Sequence, residues 1–287
     1  MKVAIIGTGA MGKWFASFAK HNFGEVTVAD INAARSKKVA KEVGVKAEET
    51  CEDAVEQADV AIIAVPIEKT PEVVKSMARA MRAGSLLMDV ASVKSDVVRA
   101  MNELDVDIEL VSIHPLFGPG STILKGKGFV AVPVNPGKRY AQFKNRLTKL
   151  GASITEMGAE EHDRVMAISQ CLTHFALLSY LSALRSMKET KLAEKLSTPM
   201  FSTLLELAKA ALAGNPDLYG EIQGMNRYAK LTRGIFMESC RSLDVAFAAN
   251  DVKAIRKIFK GALAMWGQPE AQSAYKRLYK HVEEGKK

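Results

Sequence analysis

Cysteine is scarce and scattered. Cys51, Cys171 and Cys240 are the only three and no two of them stand at C-x-x-C spacing, so neither a disulfide framework nor a zinc site is expected. They read as reduced, part-buried thiols. There are only two tryptophans and nine prolines, and no stretch is repetitive or of low complexity. Collagen-like and disordered chains are thereby excluded. Long apolar runs are missing too. The richest stretch, Cys171 to Met187, is interrupted by His174 and Arg185 and has helical periodicity, which predicts a core helix rather than a membrane span. Near the N-terminus, Val3 to Ile6 leads straight into a glycine turn, leaving no room for a secretory signal. The expectation is a cytoplasmic protein with no membrane partner.

What the chain does have is ordinary globular chemistry, with 48% hydrophobic and 25% charged residues over 287 positions. That length suits two domains, each able to bury a core. The net charge of +8 raises the question of nucleic acid. Its distribution argues against one, because Lys and Arg interleave with Asp and Glu. The densest basic stretches, Arg35 to Lys38 and the Lys286-Lys287 tail, also lack aromatics that would stack on bases. Anionic metabolites are the better match.

Short β-branched runs alternate with longer periodic segments up to residue 157, the rhythm of a parallel sheet. Strands are predicted at Lys2–Ile6, Glu25–Ala29, Val60–Val65, Ser85–Val90, Glu109–Ile113, Gly128–Pro133 and Ser153–Met157. Helices should follow Gly9, Asn32, Thr70, Ser92 and Gly137. From Glu160 onward only helical patterns remain, with starts marked by Thr198-Pro199 and Asn215-Pro216. The fold class is therefore α/β, a Rossmann-type doubly wound, mostly parallel sheet over residues 1–157, followed by an all-helical domain over 158–287.

Gly7-Thr8-Gly9-Ala10-Met11-Gly12 has the form G-x-G-x-x-G between the first strand and the first helix. In that placement Gly7 makes the tight turn, Gly9 admits a pyrophosphate, and Gly12 permits close packing at Ala10 and Met11, where the helix begins. A dinucleotide cofactor and an oxidoreductase follow. Asp30 ends the second strand where a carboxylate meets the adenosine ribose, which favours NAD; Arg35, Lys37 and Lys38 keep NADP open. Val65-Pro66, ending another strand, should lie beside the cofactor. No metal-ligand spacing is present.

Ligands of such sheets lie beyond the carboxyl ends of the strands, so polar residues there are the candidates. Ser92, in Asp89-Val90-Ala91-Ser92-Val93-Lys94, follows a strand and precedes a helix, a place that also suits an N-cap. His114 opens His114-Pro115-Leu116-Phe117-Gly118-Pro119-Gly120, a loop stiffened by two prolines and exposed to the crevice. Its imidazole titrates near neutrality and is suited to accept a hydroxyl proton while hydride leaves the same carbon. In the helical domain Gln170 and His174 share one helix face, and His162 and Asp163 suit a helix cap.

Together these segments, with Glu161-His162-Asp163-Arg164, Leu172-Thr173-His174-Phe175 and Asn215-Pro216-Asp217-Leu218-Tyr219, resemble the prephenate dehydrogenase family over nearly the whole chain. The resemblance implies oxidative decarboxylation of prephenate to 4-hydroxyphenylpyruvate in tyrosine biosynthesis. It assigns His114 to the ring hydroxyl and Ser92 to holding substrate and histidine. Lys94, His174 and Gln170 become second-rank substrate residues. It also implies a homodimer formed through a helical domain like that of 6-phosphogluconate dehydrogenase.

Ala210 departs from the family, whose arginine at that position pairs with a substrate carboxylate; Lys209, Arg227 or Arg241 would then have to supply the charge, or the substrate differs. Arogenate dehydrogenase, a dehydrogenase of another small acid, and a non-catalytic dinucleotide sensor are the rival readings.

Overall fold

The computed structural model describes residues 1–284; the Lys286-Lys287 tail lies outside the described residues. The chain divides into two compact units, Met1–Met166 and Ala167–Lys287.

The first unit runs β1 (Val3–Ile6), α1 (Ala10–Asn22), β2 (Val26–Ala29), α2 (Ala33–Val43), β3 (Lys46–Ala47), α3 (Cys51–Glu56), β4 (Val60–Ile63) and α4 (Thr70–Ala80). It continues β5 (Leu86–Asp89), α5 (Ser95–Asn102), β6 (Glu109–Pro115), β7 (Gly128–Asn135), α6 (Lys138–Lys149), β8 (Ser153–Glu156) and α7 (Ala159–Met166). The eight strands form one sheet in the order β3-β2-β1-β4-β5-β6-β7-β8, parallel throughout except where β6 meets β7. Helices cover both faces, so strands such as Val3-Ala4-Ile5-Ile6 must be apolar at every position. Val3 and Ile5 pack with Phe15, Phe129 and Phe143 on one side, and Ala4 and Ile6 with Val74, Met77 and Met101 on the other. Each fully buried Ile or Phe of this kind stabilises the fold by about 1.5–3 kcal/mol.

Register sets the site. Ile6 lies beside Ala29 and Ile63, Ile63 beside Asp89, and Asp89 beside Ser112. The strand ends therefore align, bringing Gly7, Asp30, Ala64 and Val90 to one edge, with β1 and β4 adjacent at the point where strand order reverses.

Several expectations need correction. The two-residue β3 and the six-residue α3 give no periodic signal and were not expected. His114 is not on a loop, because β6 continues through Pro115 by pairing with Phe129 and Val130. The helix after Ser92 begins only at Ser95, so Ser92 is not its N-cap. His162 and Asp163 lie inside α7 rather than at its start.

The second unit opens with a π-helical turn, Ala167–Leu172, that continues into α8 (Thr173–Arg185). There follow α9 (Thr190–Lys195), α10 (Pro199–Ala211), α11 (Pro216–Met225), α12 (Ala229–Ala248), α13 (Val252–Trp266) and α14 (Gln268–Glu284). Two starts match their sequence signals. The Thr198 hydroxyl accepts from the Phe201 amide, and the Asn215 side chain accepts from the Asp217 amide ahead of a proline at the first helical position.

The expected core helix is the main misreading in this unit. α8 has no buried residue, and the continuous helical run Ala159–Arg185, 27 residues with a window of mean hydropathy 1.3, has only 17% of that window buried. It is long and apolar enough to cross a membrane by length and composition. Within a single chain its apolar side is left uncovered, as are Leu204 and Leu207 of α10 and Ile235 of α12.

Candidate active site

The glycine turn works by two different constraints. Gly7 has φ +92, and a Cβ there would lie 2.4 Å from the Ala64 carbonyl oxygen; a Cβ on Gly12 would lie 1.9 Å from the Gly7 carbonyl oxygen. Both glycines are demanded by backbone packing. Gly9 is different, with nothing within 4 Å of where its Cβ would be. No side chain caps the start of α1 at Gly9 and Ala10. A bare helix N-terminus behind an open glycine suits a pyrophosphate. Val65 packs against Gly7, and Pro66 begins the next turn of helix, so the residues expected around the cofactor do converge.

Asp30 is tied into the same turn. Its Oδ2 accepts from the Thr8 amide at 2.7 Å and the Thr8 hydroxyl at 2.8 Å, its Oδ1 accepts from the Asn32 amide at 2.8 Å, and Arg35 stands 3.8 Å away. Burial alone would raise its carboxyl, but these donors and the guanidinium hold it below the usual carboxylate range. Asp30 is thus an anion that also shapes the loop.

At the ends of β5 and β6 lies a second, buried cluster. The His114 Nδ1 is 2.9 Å from His162 Nε2, and His162 Nδ1 is 2.8 Å from Asp163 Oδ1. The Lys94 ammonium donates to Asp89 Oδ1 at 3.1 Å and to the Ile113 carbonyl at 2.6 Å. Asp163 accepts from the backbone amides of Lys94 and Ser95, at 2.8 and 2.9 Å, and from the Ser95 hydroxyl. It caps α5 from 68 residues away, a task its own neighbours in sequence would not reveal.

Burial, reinforced by the Lys94 and His162 charges, pushes the His114 imidazole well below its ordinary range. Burial also lowers His162 against the opposing pull of Asp163, and lowers the Lys94 ammonium against the pull of Asp89. Burial raises the Asp163 carboxyl, yet the donors from His162, Ser95 and Lys94 outweigh it and keep it low. The arrangement is therefore one carboxylate serving a neutral imidazole pair, a base rather than an acid at neutral pH.

Two expectations change. His114 is 4% exposed, largely buried at the end of β6 rather than standing on an open loop. Lys94 is fully buried between Asp89 and Ile113, so its ammonium supports the strand ends from within. Ser92 remains half-exposed beside this cluster in sequence. Asp89, Ser95, His162 and Asp163 were missed as site residues. Asp89 gives no local signal, because the burial of Lys94 that calls for an acid is set by the surrounding sheet.

In the helical unit, Gln170 Oε1 and His174 Nδ1 are buried with no hydrogen-bond partner among the described residues, and the His174 ring lies 4.3 Å from that of Tyr219. Unpaired buried polar atoms are costly and suit a ligand. Lys209 does not stand free, being paired with Glu194. Arg241 pairs with Glu238 at 2.7 Å, and Arg227 lies over Tyr228. Among the described residues no cluster of three or more His, Cys, Asp or Glu is arranged to hold a metal.

The sheet order and glycine turn define a Rossmann-type dinucleotide-binding domain joined to a helical one. Comparison with known proteins makes this specific. Residues 15–156 match the nucleotide-binding domain of prephenate dehydrogenase and residues 158–261 match its dimerization domain. The chain belongs to the prephenate dehydrogenase family.

It is 32% identical over 281 residues to a probable arogenate/prephenate dehydrogenase of Methanocaldococcus jannaschii, covering 96% of this chain and 63% of that protein. The chain thus spans less than two thirds of that relative's length. It is 28% identical to a 4-amino-4-deoxyprephenate dehydrogenase of Streptomyces pristinaespiralis, covering 94% of this chain and 92% of the relative. Among solved structures, prephenate dehydrogenase from A. aeolicus in complex with hydroxyphenyl propionate and NAD+ aligns with TM-score 0.72 at 18% identity, over 92% of this chain and 97% of that one.

Proposed function

We propose that the protein is an NAD-dependent dehydrogenase that oxidatively decarboxylates prephenate, with arogenate as the alternative substrate, and that His114 accepts the proton of the ring hydroxyl. The observation that carries this reading is the buried His114–His162–Asp163 chain at the carboxyl ends of the strands that also carry the glycine turn. Asp30, already an anion, favours NAD over NADP, since a 2′-phosphate beside it would be repelled. Bound NAD+ supplies the hydride acceptor for the carbon bearing the hydroxyl.

His114 takes the hydroxyl proton as the C–H electron pair leaves. The carbon–carboxylate bond then breaks, its electron pair aromatises the ring, and carbon dioxide departs. Ser92 holds the substrate hydroxyl near His114.

Which end group the substrate carries is the open choice, because Ala210 brings no charge and Lys209 is already paired with Glu194. The likeness to a 4-amino-4-deoxyprephenate dehydrogenase makes a third ring substrate worth including. Steady-state rates with prephenate, arogenate and 4-amino-4-deoxyprephenate, each with NAD and NADP, separate these. The expected result is the highest kcat/KM for prephenate with NAD. Cofactor binding without turnover of any of the three would establish a dinucleotide sensor instead.

The uncovered apolar side of α8, α10 and α12 supports a homodimer through the helical unit, which carries the family's dimerization domain. Sedimentation should give a particle of twice the chain mass; a monomer at micromolar concentration would contradict it. Three free thiols suit a reducing compartment such as the cytoplasm.

A further inference from the structure

His162 and Asp163 have no part in the proton transfer itself, yet they are fully buried and define what His114 can do. Asp163 is ionised, and so the hydrogen in its 2.8 Å contact with His162 must come from His162 Nδ1. A neutral His162 protonated at Nδ1 has only a lone pair at Nε2. The 2.9 Å contact between that atom and His114 Nδ1 then requires the hydrogen to sit on His114 Nδ1. By elimination, Nε2 of His114 is the unprotonated nitrogen, the one free to accept a proton. A fully buried imidazole without this chain would divide between two tautomers, one of them unable to act as a base.

The same carboxylate has a second job. By accepting from the Lys94 and Ser95 amides and the Ser95 hydroxyl, Asp163 fixes the entry to α5, and with it the Ser92–Lys94 segment. One side chain thus ties the candidate substrate-holding serine to the imidazole relay. Lys94 completes the frame by joining Asp89 at the end of β5 to the Ile113 carbonyl, one residue before His114.

We propose that His162 and Asp163 are positioning residues that hold His114 in its Nδ1-protonated tautomer and in register with Ser92. This rests on the reading of His114 as the base, so the test includes a readout that does not need turnover. Two variants are compared with the wild type, His162→Phe, which removes the acceptor, and His162→Gln, whose side-chain oxygen can replace it. Imidazole 15N shifts report the tautomer of His114, and steady-state kinetics report kcat and KM.

In the wild type the 15N signals should show Nδ1 protonated and Nε2 bare. His162→Phe should lose this pattern and lower kcat by roughly a hundredfold, with KM and the NAD+ Kd little changed, general-base losses being of this order. His162→Gln should recover both the shifts and most of the rate. Wild-type kcat in His162→Phe, or a lowered kcat with the His114 tautomer intact, would overturn the proposal. If the wild type turns over no ring substrate, the dehydrogenase reading fails while the 15N pattern still decides the tautomer claim.

Discussion

Replacing His114 by asparagine should lower kcat on the order of 10²–10⁴-fold, the range that a positioned general base supplies, while NAD+ binds as in the wild type. Asparagine keeps a donor for His162 where Nδ1 stood, so the buried cluster loses its base while that hydrogen bond is retained. The pH profile of the wild type adds a second signature. Since burial and the Lys94 charge depress the imidazole well below its ordinary 6.5, the base is already free above that pH. The acid limb of kcat/KM should fall well below 6.5 and disappear in His114→Asn.

Stability moves in the same direction. A histidine depressed in the folded state binds its proton more readily when unfolded, so acidification through the unfolded value near 6.5 destabilises the fold. Stability therefore rises with pH up to that value and then levels off. His162 and His174 are depressed as well and contribute with the same sign. Denaturant midpoints at pH 5 and pH 7.5 check this; equal midpoints would mean that these imidazoles are not buried in their neutral form.

The second large effect divides the glycine turn. Gly12→Ala should cost about 3 kcal/mol or more, because its Cβ would meet the Gly7 carbonyl oxygen, a backbone atom that cannot move aside. Gly9→Ala should leave stability unchanged or raise it by up to about 1 kcal/mol, its backbone being extended and its surroundings open. That variant should instead weaken NAD+ by roughly tenfold or more, equivalent to about 1.4 kcal/mol. Thermal unfolding and calorimetric titration of both variants distinguish the two roles. Equal NAD+ affinity in Gly9→Ala would mean that the open space at Gly9 is not where the pyrophosphate sits.

Most of the sheet was legible because parallel strands buried on both faces leave unbroken apolar runs, and those runs survive any tertiary detail. β3 and α3 were not, since two and six residues are too short to show a period. The chemistry of the site was legible only in part. His114 and Ser92 stand in local motifs and could be picked out. Asp163 could not be placed, because the amides it caps lie 68 and 69 residues away, and nothing in a helical pattern reveals a partner on another element.

The burial of Lys94 is hidden for a related reason: it is decided by the sheet around it, and a lysine in sequence looks exposed. The apolar segment from Cys171 reads as core in sequence because periodicity shows that a face is apolar but not what covers it. In the single chain that face stays open.

The central claim is that a hydride acceptor and a neutral His114 together oxidise a cyclohexadienyl acid. It is tested most directly by incubating the wild-type protein with prephenate and NAD+ and measuring NADH and carbon dioxide together. Both should form in equal amounts, with 4-hydroxyphenylpyruvate as product; binding of NAD+ with neither product would contradict this reading.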